Sequence, residues 1–328
     1  MTSAVSIIVP VYSASNYIER CARSLFGQTF DDIEYVFVND CTPDESIEKL
    51  QKIIEQYPHR KERVKVINHE KNRGVSASRQ TGIDNSTGSY ILFVDNDDWI
   101  ESNMIETMYN KAKEEQADVV VCDFIIEKKN KNEYYSDYVS ENKSDYFRDM
   151  LENKLCNCSL WNKLIRRSFF ELPDCRFNEN LIIADDWFAL IRIFYYVKKC
   201  VKIDTAFYHY NRKNPFAQTA SKTNIHFEIT ILFYELLEDF LNKKGIYEKY
   251  ADVVAQSKAQ SKVNLLIQVH DKKIRKKFAN LYHDIEMKHI KKFRRGERTV
   301  LFLTHYGFHS LAHLIHLLIV YKNRNSNK

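Results

Sequence analysis

The chain has 328 residues, 44% of them hydrophobic, with 49 Lys and Arg against 44 Asp and Glu; that is enough apolar content for one large or two modest domains with real cores, and too much for a disordered chain. Seven Gly, five Pro and no short repeat exclude collagen-like, solenoid and low-complexity architectures. Seven scattered Cys make a poor disulfide framework, and the N-terminus has no Lys or Arg before its short apolar run, so reduced thiols, no export and a cytoplasmic setting are expected.

Val5–Val11 is a continuous apolar run and Ile33–Asn39 a second run of β formers, so both read as buried strands. Between them Ile18, Cys21, Ala22 and Leu25 fall at helical spacing within Asn16–Phe26. Thr42-Pro43 reads as an N-cap with Pro at the first helical position, opening a helix to about Tyr57. A strand at Val64–Asn68, a helix at Ser76–Asn85, a strand at Tyr90–Val94, a helix at Glu101–Gln116 and a strand at Asp118–Ile126 continue the alternation. The pattern predicts an α/β fold with a doubly wound, mostly parallel sheet and a ligand site at the carboxyl ends of its strands. Residues 127–145 are polar and read as an exposed excursion, 146–224 as short helical pieces and turns, and 225–282 as mostly helical, with a soft boundary near 225.

Three strands end in acids or small polar groups. The first leads into Tyr12-Ser13, the second ends at Asn39-Asp40, and the fourth is followed by Asp95-Asn96-Asp97-Asp98. Asp40 alone could be a helix cap or turn former. Three acids within four residues repel one another unless a cation sits among them, and hard oxygen ligands favour Mg²⁺ or Mn²⁺. A divalent cation with few protein ligands leaves coordination positions for a substrate diphosphate. The glycines are too widely spaced for a P-loop or a dinucleotide-binding fingerprint.

The segments SIIVPVY (6–12), Gln28-Thr29 with Asp32-Ile33-Glu34, VNDCTPD (38–44), NRGVSASRQTGI (72–83), Gly88–Val94 and DNDD (95–98) resemble the family 2 glycosyltransferases, inverting enzymes of the GT-A fold. The resemblance runs through about the first 125 residues in order. It implies a nucleotide-sugar donor, usually UDP-linked, and a Mg²⁺ or Mn²⁺ cofactor. It also implies that Pro10, Tyr12 and Asp40 hold the uracil and ribose, that Asn72, Gly74 and Arg79 lie along the nucleotide, and that Asp95-Asn96-Asp97 is the DxD element. Asp97 is then the first choice for the metal ligand, with Asp95 beside it. Cys41-Thr42-Pro43 replaces the usual Gly-Ser-Thr, and Ser13 a common Asn.

An inverting transfer needs a carboxylate to take the acceptor proton. Asp185-Asp186-Trp187 matches the family's Glu-Asp-Trp element, which aligns Asp186 with the base and places Asp185 where Glu is usual. Both acids also suit a helix N-terminus through the dipole. Ser159–Leu164 resembles a segment that precedes this acidic pair in bacterial members. Trp161, Lys163 and Asp98 are accordingly expected near the acceptor, with Trp161 as core and Lys163 as a surface charge the alternatives. His209 is a further candidate metal ligand or a structural histidine. Cys156 and Cys158 lack a partner pair at zinc spacing and read as ordinary thiols.

Residues 284–328 carry nine Lys and Arg against three acids, a net +6, which leaves the preceding 283 residues at −1. Within this tail, 299–321 has no charged Lys, Arg, Asp or Glu and is long enough as one helix to cross a bilayer. His305, His309, His313 and His316 would form a polar stripe on that helix, and basic residues flank it, a pattern better suited to lying on an anionic membrane surface. Packing on the protein's own core is the third option. No nucleic-acid motif accompanies the charge.

The expected organisation is therefore a donor half (1–126), an acceptor and catalytic half (127–224) and a helical extension with a membrane-associating tail (225–328). The expected activity is transfer from a UDP-sugar to a glycan or polyprenyl-linked saccharide on the inner face of the cell membrane. A sugar-phosphate nucleotidyltransferase and a non-catalytic nucleotide-sugar-binding protein are the alternatives. The first is disfavoured because 11–16 lacks a Gly- and Arg/Lys-rich loop after the first strand.

Overall fold

The computed structural model describes residues 3–152, 156–214, 225–268 and 272–325; the tail's Lys328 and the last ten residues before the expected boundary at 225 lie outside them. Strand β1 (Val5–Val11), helix α1 (Ile18–Phe26) and strand β2 (Ile33–Asn39) form where hydrophobic spacing places them, with Ile18, Cys21, Ala22 and Leu25 turned to the core. Helix α2 (Ser46–Glu55) begins later than the Thr42-Pro43 signal predicts, because those residues close a loop instead. Thr42 Oγ1 accepts the Ser13 backbone N–H at 2.8 Å, and Asp44 accepts that of Ser15 at 2.8 Å and the Ser46 hydroxyl.

A single turn α3 (Pro58–Lys61) precedes strand β3 (Val64–Asn68), helix α4 (Val75–Asp84), strand β4 (Tyr90–Phe93), the short β5 (Trp99–Ile100), helix α5 (Met104–Glu114) and strand β6 (Val119–Glu127). Strand β1 pairs in parallel with both β2 and β4, and β2 with β3. The residues after Val11, Asn39 and Phe93 are thereby delivered to one edge of the sheet. Helix α4 lies against β1 closely enough that a side chain at Gly82 would overlap Ile8.

The later part of this sheet departs from the expected helical pieces and turns. Strand β7 (Glu133–Tyr135) pairs with β6 within the exposed excursion and is followed by helix α6 (Lys143–Glu152). Strand β8 (Lys163–Arg166) inserts antiparallel between β4 and β6. After helix α7 (Asp185–Tyr196) comes β9 (Cys200–Asn211), parallel to β6 and antiparallel to β5. The order is β3-β2-β1-β4-β8-β6-β9-β5, with β7 beside β6. Its core joins Val9, Phe37 and Leu92 to Phe124, Trp161 and Tyr208.

The chain divides into two units, Met1–Met150 with Lys154–Ala217, and Leu151–Asn153 with Gln218–Lys328. The second is helical: α8 (Ile225–Lys243), α9 (Tyr247–Gln268), α10 (Lys272–Asn280), α11 (Glu286–His289), α12 (Arg295–His305) and α13 (His309–Asn325). Val300 of α12 packs with Leu265, Leu266 and Phe278, and Leu301 with Ala259, Val263 and Phe293.

The tail is two helices rather than the single one expected over 299–321. Gly307, at φ +81°, donates to the Thr304 carbonyl, and the Phe308 N–H reaches back to Leu303 at 2.8 Å. This left-handed glycine cap ends α12 and separates His305 from the other histidines. Among the described residues no helix is long and apolar enough to cross a membrane.

Candidate active site

Asp40 follows β2 with its carboxylate already engaged. Its Oδ1 accepts the Arg73 N–H at 2.8 Å and faces His69 Nδ1 at 2.8 Å, while Oδ2 accepts the Gly74 N–H at 2.7 Å. Gly74 caps α4 at φ +88°, a conformation that explains its glycine. Asn72 Oδ1 accepts the same Gly74 N–H at 3.1 Å. Asp40 therefore fixes the turn before α4. Tyr12 leaves β1 with its ring 45% exposed, and Asn96 Nδ2 donates to the Pro10 carbonyl at 2.9 Å, tying the end of β4 to that of β1.

Arg79 reaches from α4 to the acids that open α7. Its guanidinium is buried and lies among three carboxylates, with Nη1 2.5 Å from Asp185 Oδ2 and 2.5 Å from Asp186 Oδ1, and Nη2 3.1 Å from Asp95 Oδ1. The acids after β4 and the acids opening α7 thus meet through one cation. Ala184, at φ +61°, makes the turn that aims the α7 pair. Asp186 Oδ2 also accepts the Leu160 N–H at 3.1 Å, and its side chain is 19% exposed against 8% for Asp185. Burial raises the Asp186 carboxyl to about 7; Arg79 opposes that rise, and Asp185 and Asp95 add to it.

The three acids after β4 have different surroundings. Asp98 is buried, with Oδ2 accepting the Tyr208 hydroxyl at 2.7 Å and Oδ1 the Asn211 N–H at 2.7 Å. Asp95 is raised by burial, held back by Arg79 and raised again by Asp185. Asp97 is pushed up to about 6 by burial, with Asn214 opposing and Asp95 contributing, and its Oδ2 accepts the Asn214 amide at 2.7 Å. Of the three, Asp95 and Asp97 are the partly exposed carboxylates. Among the described residues no group of three or more His, Cys, Asp or Glu side chains converges as a metal cage. Two acids whose charge is resisted by burial fit a divalent cation only if other oxygens complete its shell.

Four expected site residues are buried. Lys163 is fully buried, its ammonium reaching the Asn157 carbonyl at 2.7 Å, Asn162 Oδ1 at 2.8 Å, the Ser159 carbonyl at 3.0 Å and Asp137 Oδ2 at 3.4 Å. Trp161 is a core ring stacked on Tyr208 with centroids 4.4 Å apart. Asp98 braces β9, and all three side chains are buried. His209 stacks on Trp99 at 3.3 Å and bonds Glu101 through Nε2 at 2.8 Å.

Tyr208, Asn211 and Asn214, which hold the 95–98 segment, escaped the sequence reading because β9 did. The run Phe207-Tyr208-His209-Tyr210 was the available signal, since β-forming aromatics bounded by Asn are strand-like.

The model of the family described as glycosyl transferase family 2 matches residues 6–172. EpsH of Bacillus subtilis (strain 168), which carries a provisional glycosyltransferase name, is 34% identical over 257 residues, 76% of this chain and 72% of its own. EpsJ of the same organism, a glycosyltransferase of uncharacterised activity, is 35% identical over 222 residues, 66% of this chain and 62% of its own. Residues 1–349 of TarS from Staphylococcus aureus, solved in complex with UDP-GlcNAc, superpose with a TM-score of 0.72 at 18% identity over 97% of this chain and 92% of that one.

Proposed function

The chain belongs to glycosyl transferase family 2, and from that premise we propose a divalent-cation-dependent, inverting enzyme that moves a sugar from a UDP-sugar to a hydroxyl of a glycan or polyprenyl-linked saccharide. It would serve surface polysaccharide synthesis on the inner face of the cell membrane, reached through residues 284–328. Membership in the family sets aside the nucleotidyltransferase alternative. The UDP-GlcNAc complex of the similar TarS supports a UDP-linked donor for a chain of the same fold.

The observation that carries this reading is the Arg79 bridge, which brings the acids after β4 and the acids of α7 into one cluster. In this reading the donor lies along the strand ends, with the exposed Tyr12 ring offering a face to the base. Asp97 and Asp95 would hold Mg²⁺ or Mn²⁺, which supplies positive charge against the departing diphosphate. Asp186 is the base, because of the α7 pair it has the more accessible side chain, and a carboxyl near 7 can accept a hydroxyl proton at neutral pH. Asp185 stays on Arg79 and positions its neighbour. The Leu160 N–H fixes the orientation of the base.

The test uses the full chain with Mn²⁺, a panel of UDP-sugars and saccharide acceptors, and UDP release as the readout. Asp186→Asn and Asp97→Ala should each lower turnover by about 10² to 10⁴ with an unchanged circular dichroism spectrum. Wild-type turnover in both variants would remove this mechanism. Release of no UDP by the unmodified chain with any donor would favour the non-catalytic alternative.

A further inference from the structure

Eleven large hydrophobic side chains are exposed among the described residues, and seven of them lie between 302 and 318; the other four are tyrosines of the sheet unit. A soluble surface scatters such groups singly, and their concentration on one short segment marks a contact face. The arrangement is specific. On α13 the half-buried His309 and His313 and the buried Ala312 share the inner arc with Ile315, which packs on the unit's core. Leu311, Leu314 and Leu318, spaced by three and four residues, stand outward at 47%, 55% and 58% exposure. Histidines and leucines have therefore exchanged the sides expected of a surface helix. His309 and His313 face the protein, and Leu311, Leu314 and Leu318 face out.

The outer face of α12 continues the pattern. Arg295, Arg298, Phe302 and Tyr306 follow one another at helical spacing and are all exposed, with cations at the start and aromatic rings at the end. Phe308, in the turn made by Gly307, adds a third exposed ring. Lys288, Lys291, Lys292 and Arg294 are exposed just before α12. Asp252 pairs with Lys288 and Lys292, and Glu297 caps α12, which still leaves this end of the face cationic. A second copy applied to the same face would oppose like charges in a parallel arrangement and set the cations against rings and leucines in an antiparallel one. An anionic lipid surface satisfies both halves at once, with headgroups for the cations and the acyl boundary for the rings and leucines.

We propose that the outer face of α12 and α13 lies flat on an anionic bilayer, with Phe308, Leu311, Leu314 and Leu318 entering the acyl boundary and Arg295 and Arg298 on the headgroups. This rests on the membrane reading above and adds which face enters, in what orientation, and that His309 and His313 take no part.

The experiment is flotation of the full chain with vesicles of equal parts phosphatidylglycerol and phosphatidylcholine, and with phosphatidylcholine alone. The unmodified chain should float with the first and far less with the second. Leu314→Glu combined with Leu318→Glu should lower the floated fraction by about tenfold or more with an unchanged circular dichroism spectrum. In a separate variant, Phe308→Trp, emission should shift to the blue on the anionic vesicles. Equal flotation of the leucine variant, with no shift in the tryptophan variant, overturns the face while leaving membrane association standing. No flotation of the unmodified chain overturns both. A dimer in sedimentation that the leucine variant dissolves would give the face to a second copy and overturn the lipid assignment.

Discussion

Arg79 Nη1 and Asp186 Oδ1 lie 2.5 Å apart, and the same guanidinium holds Asp185 and Asp95. A buried cation facing three carboxylates stays charged, because any of them would lose more by its neutralisation than burial of the guanidinium costs. The arrangement makes Arg79 a regulator of the Asp186 carboxyl's proton affinity as well as a brace.

Arg79→Gln should therefore act on two observables. Removing one partner of a buried ionic cluster costs about 3–5 kcal/mol of stability, to be read by urea unfolding. Arg79 opposes the burial that lifts Asp186 to about 7, so its loss drives that carboxyl higher and moves the acid limb of the kcat/KM profile to higher pH. Arg79→Lys keeps the charge and should shift the limb less. An unmoved limb in the Gln variant would take Arg79 off the base.

Asp97 gives a pH dependence of opposite sign to the usual carboxylate. Its folded value, about 6, lies above the unfolded one, so between about pH 4 and 6 the folded chain holds the extra proton and stability falls as pH rises, by about 2 kcal/mol at most. Asp97→Asn should flatten that fall in thermal unfolding. Because a cation and a proton compete for the same carboxylate, Mn²⁺ with UDP should raise the melting temperature more near about pH 7.5 than near about pH 5. Equal shifts at both pH values would place the cation elsewhere.

The first 126 residues were legible because their strands are continuous apolar runs and their acids cluster where parallel strands end. Val5–Val11 and Ile33–Asn39 could scarcely be read otherwise. β8 was not legible, since Lys163–Arg166 is only four residues long and cannot show a period. β9 was hidden by an irregularity: its pairing with β6 shifts register around Asp123, which breaks the alternation along the strand. The resemblance singles out Arg79, but its contact with the α7 acids shows only once the fold sets α7 beside it. In the tail, Gly307 was visible but outweighed by the uncharged run around it, so one helix was read where a glycine cap makes two.

Lys163 separates a surface role from an interior one. Its ammonium has no exposed side, and its partners are Asp137, Asn162 and two carbonyls of the 157–159 turn. Lys163→Met should cost about 3–5 kcal/mol in chemical unfolding by leaving Asp137 buried without its cation. The acceptor KM of the folded fraction should stay at the wild-type value. A raised KM with unchanged stability would return Lys163 to the acceptor.

Cys41 stands where the resemblance has Gly, and its φ of +55° is left-handed. A residue bearing a Cβ is strained there by about 1–2 kcal/mol, whereas Gly is not. Gly returns part of that gain through the greater freedom of the unfolded chain, about 0.5–1 kcal/mol. The Cys41 side chain is exposed, so no core contact is lost. Cys41→Gly should then stabilise the chain by a net amount of about 0.5 kcal/mol and raise the melting temperature by about 1–2 °C. The Asp40 carboxylate, held by the Arg73 and Gly74 N–H groups on the far side of the turn, should keep its geometry and the donor its affinity. Ser13 is the parallel case, at φ +50° where the resemblance has Asn, a residue that tolerates this region better than Ser. Destabilisation by Cys41→Gly would mean that the thiol makes a contact in solution that offsets its backbone strain.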